Sequence, residues 1–379
     1  MRFDDVVKIL SPNTTSRSFM TDADGLKCVH YGDIYKNYSD RDINSSKIVN
    51  SISLKIPEHK VIKRDAIIIA DVSETLDDWG HVTFIKFDGT PFINGTHTFA
   101  FVCDCAITLR YLFYYFRDET NRKRLRQFLT GVTVFQMSIK SLSKYKIELP
   151  PLPTQTRIAS ILSAYDTAIE NNTRRIALLE KAARELYREW FVRLRFPGWE
   201  RTRVVEGVPE GWEVKKIGDI VRLQRGHDLP ITSVRHGEYP VVGSSGIIAF
   251  HDKITTQPPV IVLGRSGSVG NPKYYDCECW IHNTAIYAKE IFGEPLWVYY
   301  MLCQIDYSSL VGGSAVPTLN RNHVEARKVL VPNKGLQKKF NSYANIMFRE
   351  VSILKSQSQN LARQRDLLLP RLMSGKLEV

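Results

Sequence analysis

The sequence predicts a mixed α/β (α+β) protein in which two globular domains with mixed β-sheets alternate with two long helices. Three observations predict it: an internal repeat of constant spacing, a heptad pattern after each domain, and short aliphatic strands that lead into polar loops. We expect the helices to pair antiparallel as a coiled coil and a pseudo-twofold axis to relate the two domains.

The length and charge of the chain limit what it can be. Its 379 residues exceed one typical core, and a hydrophobic fraction of 43% is enough to fill two or more domains. Lys and Arg number 52 against 40 Asp and Glu, and the formal charge of +12 suits a polyanionic partner such as nucleic acid. Charge alone is equally compatible with a merely soluble basic protein.

An internal repeat relates the two halves of the chain. A separation of 182 residues joins Pro150 to Pro332 and Gln155 to Gln337. The same separation joins further pairs: Gly131 with Gly313, Val134 with Val316, Lys146 with Lys328, Ile147 with Val329, Leu149 with Val331, Leu179 with Leu361 and Leu186 with Leu368. Upstream, “INGTHTFAF” resembles “IHNTAIYA”. The repeat predicts a first domain at 1–150, a helix at 151–195, a second domain at 196–332 and a second helix at 333–379.

The first helix is predicted from a heptad pattern. Steps of four and three residues alternate over more than four heptads. The predicted seam consists of Ile158, Leu162, Tyr165, Ile169, Asn172, Ile176, Leu179, Ala183, Leu186 and Trp190. A helix over residues 154–193 would be about 60 Å long, which is too long for an ordinary surface helix. Asn172 would cost stability but fix the register.

The second helix repeats this pattern less strictly. A shift of 182 residues places its seam at Phe340, Ala344, Met347, Val351, Leu354, Ser358, Leu361, Arg365, Leu368 and Leu372. Ser358 and Arg365 interrupt the apolar stripe. Each helix follows its own domain, so antiparallel pairing would satisfy both stripes and hold the two domains at opposite ends.

Several segments together resemble one known family. The stretch “LPPLPTQTRIASILSAYDTAIENNTRRIALLEKAARELYREWFVRLRFPG” precedes “VPEGWEVKKIGDIVRLQRG”, which opens the second domain. The order resembles that of the specificity subunits of type I restriction-modification systems over essentially the whole chain. The resemblance implies two target-recognition domains, each recognising half of a split site in double-stranded DNA.

The same resemblance implies partners and the location of the chemistry. The two helices would dock two modification (methyltransferase) subunits, and restriction subunits with ATP-dependent endonuclease and translocase activity would join through the complex. S-adenosylmethionine is expected in the methyltransferase subunit, and no cofactor or metal in this chain. The outward polar residues Glu180, Lys181, Arg184, Arg188 and Gln357 are candidates for the docking face.

Two polar loops supply candidate DNA-binding residues. Residues 71–81, “DVSETLDDWGH”, and residues 264–270, “GRSGSVG”, each follow an aliphatic strand. Both offer hydroxyl groups, and the glycines of the second let the backbone approach a phosphate or a base edge. A plain surface turn is the alternative. The candidates are Ser73, Glu74, Thr75, His81, Arg265, Ser266 and Ser268.

A second pair of segments precedes the last strand of each domain. Residues 131–138, “GVTVFQMS”, and 312–320, “GGSAVPTLN”, carry amides and hydroxyls. Amides suit adenine and a guanidinium suits guanine, although hairpin polar residues would look the same. The candidates are Gln136, Ser138, Thr318, Asn320 and Arg321, with Arg225, Ser244 and Ser245 added in the second domain. The basic run 122–126 is expected to form a phosphate-facing or solvated helix face.

The sequence favours recognition without catalysis. It lacks the Asn-Pro-Pro-aromatic segment expected of an adenine methyltransferase, a G-x-x-x-x-G-K-[ST] loop and an H-E-x-x-H motif. The alternative is a stand-alone phosphate- or nucleotide-binding enzyme that uses residues 264–270 as its cradle. Such a loop should open into a helix, whereas the strand-like run “NPKYYDCECWIH” follows.

The remaining features concern location, cysteines and the start of the first domain. Residues 1–10 lack the apolar core of a signal peptide and no aliphatic run is long enough to span a bilayer, which predicts a cytoplasmic protein without a membrane partner. The pairs Cys103/Cys105 and Cys277/Cys279 are expected to be reduced residues on strands. The first domain has no equivalent of Trp212, so its first strand is expected to be shortened or differently anchored.

Overall fold

The structure is a computed structural model that describes residues 1–14, 19–21, 25–54, 56–312 and 317–379. Its internal contacts divide the chain into two compact units. Unit 1 comprises Met1–Asn171 and Gln357–Val379, and unit 2 comprises Asn172–Ser356. Each unit therefore contains a β-rich part and a portion of both long helices. The predicted repeat pairs at Gly313 and Val316, and the middle of the segment 312–320, lie outside the described residues.

Unit 1 contains two mixed sheets. Its described strands are β1 (Lys8–Leu10), β2 (Met20–Thr21), β3 (Leu26–Val29), β4 (Arg41–Asn44), β5 (Ser51–Ile52), β6 (Ala66–Ala70), β7 (Val72–Ser73), β8 (Val82–Lys86), β9 (Phe92–Asn94), β10 (Thr98–Val102) and β11 (Phe135–Gln136). A five-stranded sheet has the order β1-β10-β6-β8-β4, and a four-stranded sheet has the order β2-β5-β3-β9. The pairs β4–β8 and β3–β9 are parallel and the other pairs of these sheets antiparallel.

The central strand β6 of unit 1 is buried on both faces. Ile67 and Ile69 belong to the aromatic core beneath α2 (Ala106–Arg117), while Ala66, Ile68 and Ala70 belong to a second core on the opposite face. Alternating side chains explain why this strand is aliphatic at every position. The remaining short helices of unit 1 are α1 (Tyr31–Asp33), continued by a π-helical turn (Ile34–Tyr38), α3 (Glu119–Arg126) and α4 (Ile139–Lys144).

Unit 2 repeats this plan with smaller sheets. Its described strands are β12 (Val204–Val205), β13 (Val208–Pro209), β14 (Glu213–Lys216), β15 (Val221–Arg225), β16 (Tyr239–Gly243), β17 (Gly246–His251), β18 (Val260–Gly264), β19 (Gly270–Tyr275), β20 (Trp280–Ile281), β21 (Ala285–Ile291), β22 (Val311–Gly312), β23 (Thr318–Leu319) and β24 (Lys328–Val331). One sheet has the order β15-β21-β18-β19, and another, β17-β16-β20, contains the parallel pair β16–β20. Its short helices are α6 (Pro295–Leu302) and α7 (Arg321–Glu325). Strand β18 is buried along its whole length, as β6 is.

Short 3₁₀ turns connect these elements. They are Phe3–Asp5, Ser45–Lys47, Glu58–Lys60, Trp199–Arg201, Ile217–Asp219, Ile231–Ser233 and Ser308–Leu310. Two of them mark equivalent points of the repeat, because the Phe3 amide donates to the Tyr145 carbonyl (2.9 Å) and the Ile217 amide to the Arg327 carbonyl (2.8 Å).

The first strand of unit 1 is shortened relative to that of unit 2. In unit 2, β14 pairs with β24 over four residues. The corresponding pairing in unit 1 is the single bridge between Arg2 and Lys146. Trp212 packs against Phe191 and Phe196 beside β14, and unit 1 instead buries Phe3 against aromatic rings of its own core.

The two long helices are α5 (Leu152–Tyr187), continued by a π-helical turn (Arg188–Val192), and α8 (Lys334–Met373). Helix α5 begins at Leu152, one residue after the predicted start at 151, with Pro153 in its first turn. Proline is tolerated there because the first amides of a helix have no intrahelical partner.

The two helices pair antiparallel. Within unit 2, Arg175 contacts Glu350 (2.7 Å), while further along α5 the Trp190 ring lies 6.0 Å from that of Tyr343, which precedes Glu350 on α8. In both helices, every residue of the predicted seams is buried or half-buried.

A charged network in unit 1 accounts for the arginine in the second seam. Arg365 donates to Asp166 Oδ1 (2.6 Å), and Arg117 donates to Asp166 Oδ2 (2.7 Å). The Tyr114 hydroxyl donates to the same carboxylate (2.8 Å). Asp166 therefore joins both long helices to α2, and Arg365 is paired at a position where an unpaired charge would be costly.

The expectation that the paired cysteines lie on strands is wrong. Cys103 follows the end of β10, and Cys105 is the N-cap residue of α2. Cys277 and Cys279 lie in the loop between β19 and β20. Strands β10 and β19 end before Cys103 and Cys277, and Cys279, just before β20, forms only an isolated antiparallel bridge with Thr256.

Two features are absent from the described residues. No group of His, Cys, Asp and Glu in the described part of the chain has the geometry of a metal site. Among the helices that the structure describes, none is both long and apolar enough to cross a membrane.

Candidate DNA interface

In unit 1, the backbone joins the two candidate segments. Strand β7, which lies in the 71–81 loop, pairs antiparallel with β11, so that Ser73 faces Phe135 and Val72 faces Gln136. The Asp71 carbonyl accepts from the Met137 amide (2.9 Å) and from Trp79 Nε1 (3.2 Å). The loop is therefore held by main-chain hydrogen bonds at its start.

Unit 2 has the same junction. Ser266 and Thr318 form an antiparallel bridge, and the Leu319 amide donates to the Arg265 carbonyl (2.8 Å). Gln136 and Thr318, like Met137 and Leu319, are separated by the 182 residues of the repeat. Asp71 and Arg265 thus occupy equivalent positions, one in each unit.

A third segment completes the junction in both units. The Asp71 amide donates to the His97 carbonyl (3.1 Å), and the Arg265 amide donates to the Thr284 carbonyl (2.9 Å). Neither His97 nor Thr284 is among the candidate residues predicted from the sequence. The resemblance between “INGTHTFAF” and “IHNTAIYA” was the signal that marks them.

Asp71 is the buried polar centre of the unit 1 junction. Its side chain is 4% exposed. Gln136 Nε2 donates to its Oδ2 (3.4 Å), and His97 Nδ1 lies 3.5 Å from its Oδ1. Burial raises the pKa of the Asp71 carboxyl, and its contacts with Gln136 and His97 offset part of that effect. Gln136 itself is exposed.

The rest of the 71–81 loop is ordered by contacts within the loop. The Ser73 hydroxyl is buried and accepts from the Thr75 amide (3.3 Å), and the Thr75 hydroxyl donates to Asp78 Oδ2 (2.6 Å). Glu74 and Thr75 are exposed at the tip. Of the candidates in this loop, these two present the most accessible side chains.

His81 closes the loop through Asp40. Its Nδ1 lies 3.0 Å from Asp40 Oδ2 and 2.7 Å from the Ser39 hydroxyl, while Arg122 contacts the other carboxylate oxygen of Asp40. Burial acts to raise the pKa of Asp40, but His81 and Arg122 outweigh it and lower the pKa to about 2. The Nδ1 atom of His81 is therefore occupied by contacts within the protein and not available to DNA.

Both expectations for the basic run 122–126 are wrong for its two ends. Arg122 and Arg126 are buried. Arg122 donates to the Phe116 carbonyl (2.7 Å), and Arg126 pairs with Glu119 (2.6 Å) and contacts the carbonyls of Asp77 and Trp79. A guanidinium carries five donors, which lets it hold several loop carbonyls at once. These two arginines therefore stabilise the 71–81 loop from the interior of unit 1.

In unit 2, the β16–β17 turn lies beside the glycine-rich loop. The Ser244 amide donates to the Thr284 hydroxyl (3.3 Å), and Lys273 contacts the Ser245 carbonyl. A Cβ at Gly264 would lie 1.7 Å from the Ser268 carbonyl oxygen, so only glycine permits this tight loop. Ser244, Ser245 and the loop therefore form one surface.

Two arginines border that surface. Arg265 Nη1 donates to the Asn283 carbonyl (3.3 Å). Arg225, at the end of β15, lies 3.8 Å from Asp228, which Asn283 also contacts. The surface combines hydroxyl groups with guanidinium groups, a combination that suits phosphates and guanine edges.

Three candidates have structural roles that sequence reasoning missed. Ser138 caps α4 by accepting from the Ser141 amide (3.1 Å), and Asn320 caps α7 by accepting from the Asn322 amide (3.0 Å). Arg321 donates to the Leu223 carbonyl (3.1 Å). A Ser or Asn just before a short helix is the signal of an N-cap. The two caps again differ by 182 positions.

The glycine-rich loop does not open into a helix. It joins β18 to β19, and the run after it forms strand β19 over Gly270–Tyr275. A phosphate cradle of the kind that the enzyme alternative requires uses the amides at a helix N-terminus. This loop lacks that helix.

Comparison with known proteins shows that one family model matches both halves of the repeat. The family model described as “Type I restriction modification DNA specificity domain” matches residues 1–181 and 209–361. The chain belongs to this family. It is a specificity subunit of a type I restriction-modification system, and hence a DNA-recognition subunit and not a catalytic one.

Individual relatives agree with this assignment. The type I restriction enzyme MjaIX specificity subunit of Methanocaldococcus jannaschii is 26% identical over 306 residues, covering 72% of this chain and 70% of its own. The MjaVIII specificity subunit of the same organism is 31% identical over 118 residues, covering 31% of this chain and 27% of its own. The crystal structure of the type I restriction-modification S subunit from M. genitalium matches with a TM-score of 0.62 at 17% identity, covering 98% of this chain and 95% of that one. That likeness shows the fold.

Proposed function

We propose that each unit recognises one half of a bipartite site in double-stranded DNA. The observation that carries this proposal is the repeated junction, in which the same backbone hydrogen bonds join the same loops in both units. The side chains at the equivalent positions differ, with Asp71 in one unit and Arg265 in the other. Equivalent backbone frameworks that carry different side chains are suited to recognising two different DNA sequences.

The recognition domains proposed here are residues 1–150 and 196–332. The compact units cut across the long helices, because each unit includes the helical portions that pack on it. The proposed spacers are residues 151–195 and 333–379. They would set the number of unread base pairs between the two half-sites, with half-site centres about one helical turn, roughly 10 base pairs, apart.

We further propose that the paired helices dock two modification subunits. The polar residues Glu180, Lys181, Arg184, Arg188 and Gln357 are exposed on them. So are three aliphatic side chains, Leu178 (66% exposed), Ile346 (67%) and Ile353 (52%). Exposed aliphatic residues beside charged ones on a helix pair favour a protein partner. The partner subunits would supply the S-adenosylmethionine site and, with restriction subunits, complete the complex.

The half-site proposal is tested with the second junction. Replacing Arg265, Ser266 and Ser268 with alanine should alter the sequence preference of one half-site and leave the other unchanged. Enrichment of duplexes from a randomised library by the purified chain, without nucleotide or S-adenosylmethionine, measures both halves at once. Equal loss of preference in both halves would contradict the modular proposal.

The docking proposal is tested separately. Co-expression of the chain with a modification subunit, followed by mass measurement at low salt, should show one copy of this chain with two partner subunits. Replacing Ile346 and Ile353 with serine should weaken that complex. A complex of unchanged mass and stability in this variant would remove these side chains from the interface.

A further inference from the structure

The geometry points to Asp71 as a positioning residue that fixes how Gln136 recognises an adenine in the half-site of unit 1. This inference rests on the proposed function. It adds a residue that contacts no DNA itself and determines which hydrogen-bonding groups its neighbour presents.

The carboxylate of Asp71 can only accept hydrogen bonds when it is ionised. It therefore selects the amide nitrogen of Gln136, whose Nε2 lies 3.4 Å from Oδ2. An unrestrained glutamine on the surface can rotate its amide by half a turn and exchange donor for acceptor. Contact with a buried carboxylate removes that freedom.

The fixed amide has one acceptor and one donor left for DNA. The carbonyl Oε1 is free of Asp71, and the second hydrogen of Nε2 remains available. This pair matches the major-groove edge of adenine, whose N6 amino group donates and whose N7 accepts. Gln136 is exposed, so a base can reach it.

The framework around Asp71 is rigid enough to hold this geometry. Its amide and carbonyl are fixed by His97, Met137 and Trp79. Buried Arg126 contacts the Trp79 carbonyl in turn. The side chain of Asp71 is 4% exposed, so water does not compete strongly for the carboxylate.

His97 lies beside the same carboxylate. Its Nδ1 lies 3.5 Å from Asp71 Oδ1, so its other ring nitrogen is on the far side of the ring. Its side chain is 45% exposed. Its backbone has φ of 59°, in the left-handed region that asparagine also tolerates. His97→Asn therefore removes the imidazole ring without straining the backbone of the loop.

Unit 2 offers the matched control. Thr318 stands where Gln136 stands, and Arg265 stands where Asp71 stands. The Arg265 guanidinium cannot accept a hydrogen bond, so it cannot hold an amide nitrogen as the Asp71 carboxylate does. Thr318→Ala should alter only the other half-site.

The experiment enriches duplexes from a library randomised over both half-sites, using the full chain and its Gln136→Leu, Asp71→Asn and doubly substituted variants. We expect Gln136→Leu to lose preference for adenine at one position by about tenfold. The amide introduced by Asp71→Asn can both donate and accept hydrogen bonds, so it no longer fixes the orientation of the Gln136 amide. The preference for adenine at the same position should therefore weaken. The double variant should be no worse than Gln136→Leu alone, because Asp71 acts through Gln136.

The outcomes separate this inference from the proposed function. If the unaltered chain enriches no bipartite sequence, both fail. If it does so, and Asp71→Asn leaves the adenine preference unchanged while Gln136→Leu removes it, Asp71 has no positioning role. If the effects of the two substitutions simply add, the inference is also overturned. Thermal unfolding of each variant identifies any general loss of folding, which would lower affinity for both halves equally.

Discussion

At the scale of single residues, the 71–81 loop of unit 1 depends on buried and half-buried charges more than on hydroxyl groups. Asp40, Asp71, Arg122 and Arg126 lie beneath or within the 71–81 loop and hold it through side chains that sequence reasoning placed in solvent or did not notice. A sequence shows that a basic run is present. It does not show that two of its members, spaced four apart, turn into the core, because their partners are distant in the chain.

Asp40 leads to a pH prediction. Its pKa in the folded chain is about 2, below the unfolded value of about 3.9, so ionised Asp40 stabilises unit 1 fully above that value. The contribution, about 2 kcal/mol in unfolding free energy, is lost as the pH falls from about 4 to about 2. Asp40→Asn should remove this part of the acid dependence, as measured by denaturant unfolding at several pH values.

Asp104 provides the control for that measurement. Its carboxylate pairs with Arg64 but is 98% exposed. Asp104→Asn should leave the acid dependence nearly as it is, because exposed ion pairs contribute little. Identical acid profiles for Asp40→Asn and the unaltered chain would contradict the role given to Asp40.

At the scale of elements, the long helices and the central strands follow directly from the sequence pattern. The heptad spacing predicted both α5 and α8, and the aliphatic run Ala66–Ala70 predicted the buried strand β6. The small elements did not follow, since β7 and β11 are two residues long and exist only because loops that are far apart in the chain pair. The same dependence on long-range contacts hid the roles of Asp71 and His97 at the junction.

Asn172 leads to a prediction about the helix pair. It is buried at a seam position, where an amide costs stability and restricts the register. Asn172→Leu should raise the unfolding free energy by about 1 kcal/mol and permit additional oligomeric states. Chemical denaturation and light scattering measure the two effects.

Asn171 is the matched control, since it is the neighbouring residue of the same type and is exposed. Asn171→Leu should leave both stability and oligomeric state nearly unchanged. If the two leucine variants behave alike, the seam position of Asn172 has no special role.

At the scale of the whole molecule, the proposed spacer predicts the length of the gap in the DNA site. Removing one heptad from each helix, residues 169–175 and residues 355–361, retains the seam pattern and shortens the pair by about 10 Å. That length corresponds to about three base pairs. The permitted gap should shrink while both half-site sequences remain unchanged.

Methylation mapping of the assembled complex across a genome measures that gap. Removing seven residues from α5 alone is the comparison, because it leaves the two seams unequal in length and should impair assembly. If the matched deletion changes the bases recognised in either half-site, helix length and base recognition are not independent.

Main-chain hydrogen bonds join the segments of the junction in both units. Hydrogen bonds such as that from the Met137 amide to the Asp71 carbonyl are indifferent to the side chains of the residues that make them. Under the proposed function, substitutions at the exposed positions of the junction would therefore change the bases recognised and leave these main-chain hydrogen bonds in place. If each unit recognises its own half-site as proposed, single substitutions in one unit would change one half-site, while the equivalent framework of the other unit keeps the second half-site unchanged.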